Sequence, residues 1–71
     1  MGSTGKLQRG DVVLAHIEDV EATAGGFSFT ASSLPKKGRY EFVPSDGPVR
    51  NVEVYELLDG PGRPRGKARY A

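Results

Sequence analysis

The sequence predicts an all-β protein: a small antiparallel five-stranded barrel, OB-like or SH3-like, with a flexible N-terminal arm and a basic C-terminal tail. Three observations predict it. Short apolar runs alternate with a period of two, most cleanly in Phe27-Ser28-Phe29-Thr30-Ala31. Glycine and proline clusters separate these runs. No segment holds a helical period without a strand reading of equal merit. A chain of 71 residues makes one domain with a small core. Closing its sheet removes edges that such a core cannot otherwise protect.

Residues 1–10, MGSTGKLQRG, are polar and glycine-rich, without an apolar signal core. They read as a flexible arm, in part an expression remnant. The barrel domain is assigned to residues 11–59. Its first strand is Asp11 to Val20, rich in β-branched residues after Gly10. Val13, Ala15 and Ile17 fall on one face, with Val12, Leu14 and His16 on the other. Both faces are apolar at the start, as in a strand buried on two sides. A helix competes here, since Leu14, Ile17 and Val20 also share a helical face. The run Ala22-Thr23-Ala24-Gly25-Gly26 breaks the element.

Phe27 to Ala31 follows, with Phe27, Phe29 and Ala31 on one face. Ser32 to Pro35 forms a turn or loop. Arg39 to Val43 is the next strand, with Tyr40 and Phe42 on one face. Pro44-Ser45-Asp46-Gly47-Pro48 is a turn: Asp-Gly supplies the positive-φ position and two prolines block the ladder. Val49 to Leu58 returns, placing Val52, Val54 and Leu58 together and Asn51, Glu53, Tyr55 and Leu57 opposite. Residues 60–71 form a basic, Gly/Pro-rich tail, with room for a short edge strand at 67–71.

Net charge is only +1, but it is uneven. The first 35 residues carry −2 and the remainder +3, and the last twelve hold Arg63, Arg65, Lys67 and Arg69 without an acid. This pattern suggests local contact with a polyanion, or a solvated tail that keeps the chain soluble. There are no cysteines, so disulfides and thiolate metal sites are excluded and a cytoplasmic location fits. No apolar run approaches the roughly 20 residues of a membrane span.

Lys37-Gly38-Arg39-Tyr40-Glu41-Phe42-Val43, the turn Pro44-Ser45-Asp46-Gly47, and Val52-Glu53-Val54-Tyr55 resemble the nucleic-acid-binding hairpin of cold-shock domains, over residues 26–58. The resemblance implies that Tyr40, Phe42 and Tyr55 stack bases, with Lys37 beside the backbone and Phe27 or Phe29 matching the preceding strand. Lys36, Arg39 and Arg50 add positive charge around the hairpin. Aromatic faces on adjacent strands stack unpaired bases while Lys and Arg neutralise phosphates. The sequence departs from the family at Arg39, which breaks the first motif, and at Glu41 and Glu53, whose carboxylates oppose phosphate. Strand order departs too, because the extra strand precedes the hairpin. The competing reading puts Tyr40, Phe42 and Phe29 in the barrel core.

Gly62-Arg63-Pro64, followed by Arg65 and Lys67, resembles an AT-hook. In that motif an extended Gly-Arg-Pro core lies in the A·T-rich minor groove, with Arg69 extending the basic arm here. Gly60-Pro61 stands where the motif carries a basic residue. His16 is the only histidine and lacks the convergent ligands of a metal site. Ser28, Ser32 and Ser33 have no nucleophile setting around them. The expected function is therefore non-enzymatic, without cofactor or metal: a small β-barrel binding single-stranded nucleic acid or A·T-rich DNA. The alternative is an interaction or assembly module that forms a homo-oligomer or docks on a larger protein through an exposed strand edge.

Overall fold

A computed structural model describes residues 3–33, 35–58 and 62–71. The described residues form β1 (Ser3–Arg9), β2 (Val12–Thr23), β3 (Gly26–Ala31), β4 (Gly38–Pro44), β5 (Arg50–Leu58) and β6 (Arg65–Tyr70). They close into an antiparallel barrel with the order β1-β2-β3-β6-β5-β4. Two three-stranded meanders are thus joined along two seams, β3 with β6 and β1 with β4. The all-β barrel expectation holds, with six strands rather than five. No helix among the described residues is long and apolar enough to cross a membrane.

The extra strand comes from the expected arm, and the tail supplies a full strand in place of a short edge piece. Residues 3–9 are a strand because Leu7 is a fully buried core residue and β1 is paired on both sides, with β2 and with β4. One apolar residue in a polar, glycine-rich stretch gives almost no periodic signal. Residues 65–70 are β6, an interior strand between β3 and β5 rather than an edge. Its inward positions are Gly66 and Ala68, both buried. A Cβ on Gly66 would lie 2.5 Å from Cζ of Phe29, so the small residue makes room for the large one. Hydrophobicity scales see little in Gly and Ala, so the sequence offers only a short edge strand at 67–71 where the barrel has an interior one. Gly60, Pro61, Asp59 and Leu34 lie outside the described residues.

The core is built from alternate positions of all six strands. Phe27 is its hub: its ring centroid lies 4.6 Å from that of Phe42, 5.8 Å from Tyr70 and 6.0 Å from Phe29. These are tilted contacts of the kind favoured by ring quadrupoles. Among the described residues, no polar or charged residue is buried and no buried side-chain polar atom lacks a partner. The interior is therefore apolar and filled.

Three bulges shape the sheet. Opposite Leu7 and Gln8 of β1 stand Ala15 and Val13, leaving Leu14 as the extra residue. Asp19 is extra against both neighbours and takes φ 52°, a left-handed conformation that aspartate tolerates. Tyr55 is extra on β5, between the pairs Val54↔Ala68 and Glu56↔Lys67. A one-residue insertion reverses every later side chain. This corrects two expected faces. On β5, Val52 and Val54 are buried as expected, but beyond the bulge Leu57 packs on the core and Leu58 is exposed. On β2, the strand is not buried on two sides at its start: Val12, Val13 and Leu14 are exposed, and only Ala15 and Ile17 are buried. β2 also runs on to Thr23, through part of the expected breaker, before turning at Ala24-Gly25.

Candidate binding surface

The hairpin of β4 and β5 forms as expected, with Tyr40 opposite Val52 and Phe42 opposite Arg50. Its aromatic residues face inward. Tyr40 is 5% exposed and Phe42 is 6% exposed, and Phe27 and Phe29 are buried beside them. None of the four presents a face to a base. The barrel needs large apolar side chains in its centre, and this chain has few others. The Tyr40 hydroxyl donates to the Lys36 carbonyl at 2.5 Å, which ties the loop before β4 to the core. Pro35, one residue earlier, is buried.

Tyr55 is the aromatic that does reach the surface, turned outward by its bulge. One face of its ring is covered: the Arg69 guanidinium lies 4.6 Å from the centroid, while Arg69 Nε stands 3.4 Å from Glu53 Oε1. Tyr70 is exposed as well, and the Arg50 guanidinium lies 4.2 Å above it. Each of the two rings thus carries a cation of the same chain over one face.

The expected basic arm is likewise engaged. Arg63 pairs with Glu18, and Lys67 Nζ lies 3.9 Å from Glu56 Oε2. The Pro64 carbonyl accepts from Ala31 N–H at 2.8 Å, and Arg65 onward is sheet, opposite Thr30 and Leu58. An AT-hook requires a free extended backbone to enter a groove. Here that backbone from Arg65 to Tyr70 is committed to two neighbouring strands.

What the structure does bring together is Lys36, Lys37 and Arg39, joined by Arg9 from β1. Arg9 donates through Nε (3.2 Å) and Nη2 (3.0 Å) to the Arg39 carbonyl, and its guanidinium lies 4.6 Å from the Tyr40 centroid. All four cations are exposed. Among the described residues none of them enters an ion pair. Arg50, Tyr55, Arg65, Lys67 and Arg69 stand apart from this cluster on β5 and β6. Arg9 escaped notice because it sits in the polar stretch read as an arm, 30 residues from its partner Arg39.

Beside the cluster is a shallow depression of about 490 Å³, bounded by Gln8, Arg9, Arg39, Glu41 and Asn51. Gln8 Nε2 donates to Glu41 Oε1 at 3.4 Å across it. Arg9 stands opposite Val12 in the β1–β2 hairpin, so the cations adjoin the exposed run Val12, Val13 and Leu14. Among the described residues, β2 pairs with β3 only from Ile17 onward, and Val12–Ala15 have β1 alone as a sheet neighbour. The tip of the hairpin is thus a strand with one open edge and three consecutive exposed aliphatic residues.

His16 is exposed, and it is its backbone carbonyl, not its imidazole, that meets Ser32: Ser32 N–H donates at 3.0 Å and Ser32 Oγ at 3.4 Å. The described residues contain no group of three His, Cys, Asp or Glu side chains placed to hold a metal ion. A second depression, of about 370 Å³, runs over β3 between Asp19 and Glu21 on one side and Arg65 and Lys67 on the other, with Ser28 and Thr30 between them. It carries both signs of charge on its two sides. No protein-family model matches the chain, and comparison with curated proteins and with solved structures returns no significant similarity.

Proposed function

We propose that this barrel is a non-enzymatic, cytoplasmic protein-interaction module that docks through the tip of its β1–β2 hairpin. The observation that carries the reading is the exposure of Val12, Val13 and Leu14 at 60%, 42% and 40% on a strand segment with one sheet neighbour. Three adjacent aliphatic residues that serve neither the core nor a second strand are what a protein interface uses at its centre. Strand edges of this kind also accept segments of other chains.

Nucleic acid is the rival partner. Its phosphates would use Arg9, Lys36, Lys37 and Arg39, but base stacking on Tyr40 and Phe42 loses its support, since those rings are buried, and Tyr55 already carries Arg69 over one face. A photo-crosslinking amino acid at Val13, with the same group at Glu21 as a control, tests the choice in the native cytosol. Discrete protein adducts from position 13 and none from position 21 are expected. Adducts to nucleic acid from position 13, abolished by nuclease, would overturn the reading.

A further inference from the structure

We infer that the partner is a different protein presenting an apolar pocket edged with aspartate and glutamate, rather than a second copy of this chain. The inference rests on the docking reading above and gives the partner's chemistry. The apolar tip adjoins the cation cluster through Val12, because Arg9 pairs with Val12 on one side and holds the Arg39 carbonyl on the other, while Val13 stands opposite Gln8. Aliphatic side chains lie at the centre, and Arg9, Lys36, Lys37 and Arg39 lie at the margin. Interfaces share this plan of an apolar centre and a polar rim.

The rim is predominantly positive. The carboxylates nearest it are Asp11 in the turn, Glu41, which is engaged by Gln8, and Glu53, which stands opposite Arg39 and is engaged by Arg69. Elsewhere on the barrel Arg63 is answered by Glu18, Lys67 by Glu56 and Arg69 by Glu53, while among the described residues Lys6, Arg50 and Arg65 are single cations outside any ion pair. Two copies meeting through their tips would set one cluster of four cations against another, and like charges facing each other are disfavoured. A carboxylate-edged partner meets the same rim with opposite charge. One carboxylate can enter the depression, where Arg9 uses Nε and Nη2 on the Arg39 carbonyl and keeps Nη1 available. Phosphate backbones would meet the rim equally well, but they offer nothing to Val12, Val13 and Leu14, whose burial is the non-directional part of the attraction.

The test titrates fluorescently labelled protein with an amphipathic peptide bearing leucines on one face and glutamates on the other. Parallel arms use the same peptide with glutamine for glutamate, poly-L-glutamate, single-stranded and duplex oligonucleotides, and phosphatidylserine vesicles, all at two salt concentrations. The leucine–glutamate peptide is expected to bind tightest. Lys36→Glu/Lys37→Glu should weaken it by about tenfold at low salt, because exposed charge pairs are individually small but two signs are reversed. Val12→Ser/Leu14→Ser should weaken it comparably while leaving poly-L-glutamate unchanged. Lys36→Gln/Lys37→Gln guards against a folding defect and should fall between wild type and the reversal. The inference is overturned if the leucine–glutamate peptide does not bind, if the glutamine peptide binds as well, if oligonucleotides or vesicles bind tighter, or if the free chain is a dimer that Val12→Ser/Leu14→Ser dissociates. Protein adducts from Val13 alongside equal binding of the two peptides would retain the docking reading and remove the acidic partner.

Discussion

Replacing Gly26 by alanine should open the seam between β3 and β6. Gly26 stands opposite Arg69 at one end of that five-pair seam. A Cβ there would lie 2.0 Å from the Ala68 carbonyl oxygen and 2.7 Å from the Arg69 Cα. Both are backbone atoms, so no side chain can swing aside. Relief requires β6 to move by more than an ångström against a strand spacing of about 4.8 Å. Overpacking of this kind costs about 1–3 kcal/mol. Displacement of β6 also threatens the 3.0 Å bond from Tyr70 N–H to the Gly25 carbonyl, worth about 1 kcal/mol. Together they amount to roughly 2–4 kcal/mol, a large share of the stability of so small a domain. At about 4–8 °C per kcal/mol, the midpoint should fall by roughly 8–32 °C. Thermal unfolding followed by circular dichroism measures it, and Gly25→Ala is the companion. Gly25 has φ +77° and nothing within 4 Å of an added Cβ, so alanine there meets strain without collision, at about 1 kcal/mol. D-alanine, introduced by chemical synthesis, should be harmless at 25, where φ is +77°. A Gly26→Ala midpoint equal to that of Gly25→Ala would refute the steric account.

Three further substitutions probe the fold. Asp19→Gly should raise stability by up to about 1 kcal/mol, because a left-handed residue at φ 52° is strained for any L-amino acid, whereas Asp19→Val should lower it; denaturant midpoints decide. Phe27→Ala empties the hub of the aromatic cluster and should remove about 3–5 kcal/mol, enough to leave the chain largely unfolded at 37 °C by near-ultraviolet dichroism. Deleting residues 3–9 should abolish cooperative unfolding, since β4 and β2 both lose their shared neighbour and the core loses Leu7; a cooperative melt after deletion would return that segment to the status of an arm.

The legible parts of the sequence were those where one periodic pattern ran uninterrupted. Phe27, Phe29 and Ala31 are buried as their alternation requires, and the β4–β5 hairpin turns where Asp46-Gly47 places it. Legibility failed at two kinds of place. Strands whose inward residues are small or few, such as β6 with Gly66 and Ala68 and β1 with Leu7, have no hydrophobic rhythm to read. Their partners supply the volume, and that complementarity exists only in three dimensions. Bulges are the second kind. Leu14, Asp19 and Tyr55 carry no residue-level mark of insertion, yet each reverses the faces beyond it. For the binding surface, the sequence marked Lys36, Lys37 and Arg39 as cations but could not bring Arg9 to them. It marked Tyr40 and Phe42 as aromatic without deciding which way they point.

The length of β2 ties the fold to the proposed surface. β2 spans 12 residues while its neighbour β3 spans 6, and their pairing begins at Ile17. Closure therefore uses only the later part of β2, and the core draws on Ala15, Ile17 and Val20. Val12 to Leu14 contribute to neither. A chain this small has few apolar side chains to spare, and exposing them to water contributes nothing to its stability. The bulge at Leu14 bends this overhang at the point where it leaves the barrel wall. The same β1–β2 pairing that carries the overhang brings Arg9 to the start of β4, where its bonds to the Arg39 carbonyl hold the cation cluster against the tip. An overhang built only to lengthen a strand would need neither the three aliphatic residues nor the cations gathered beside them. Their occurrence together, on the part of β2 that closure does not use, is the reason to assign the tip to a partner.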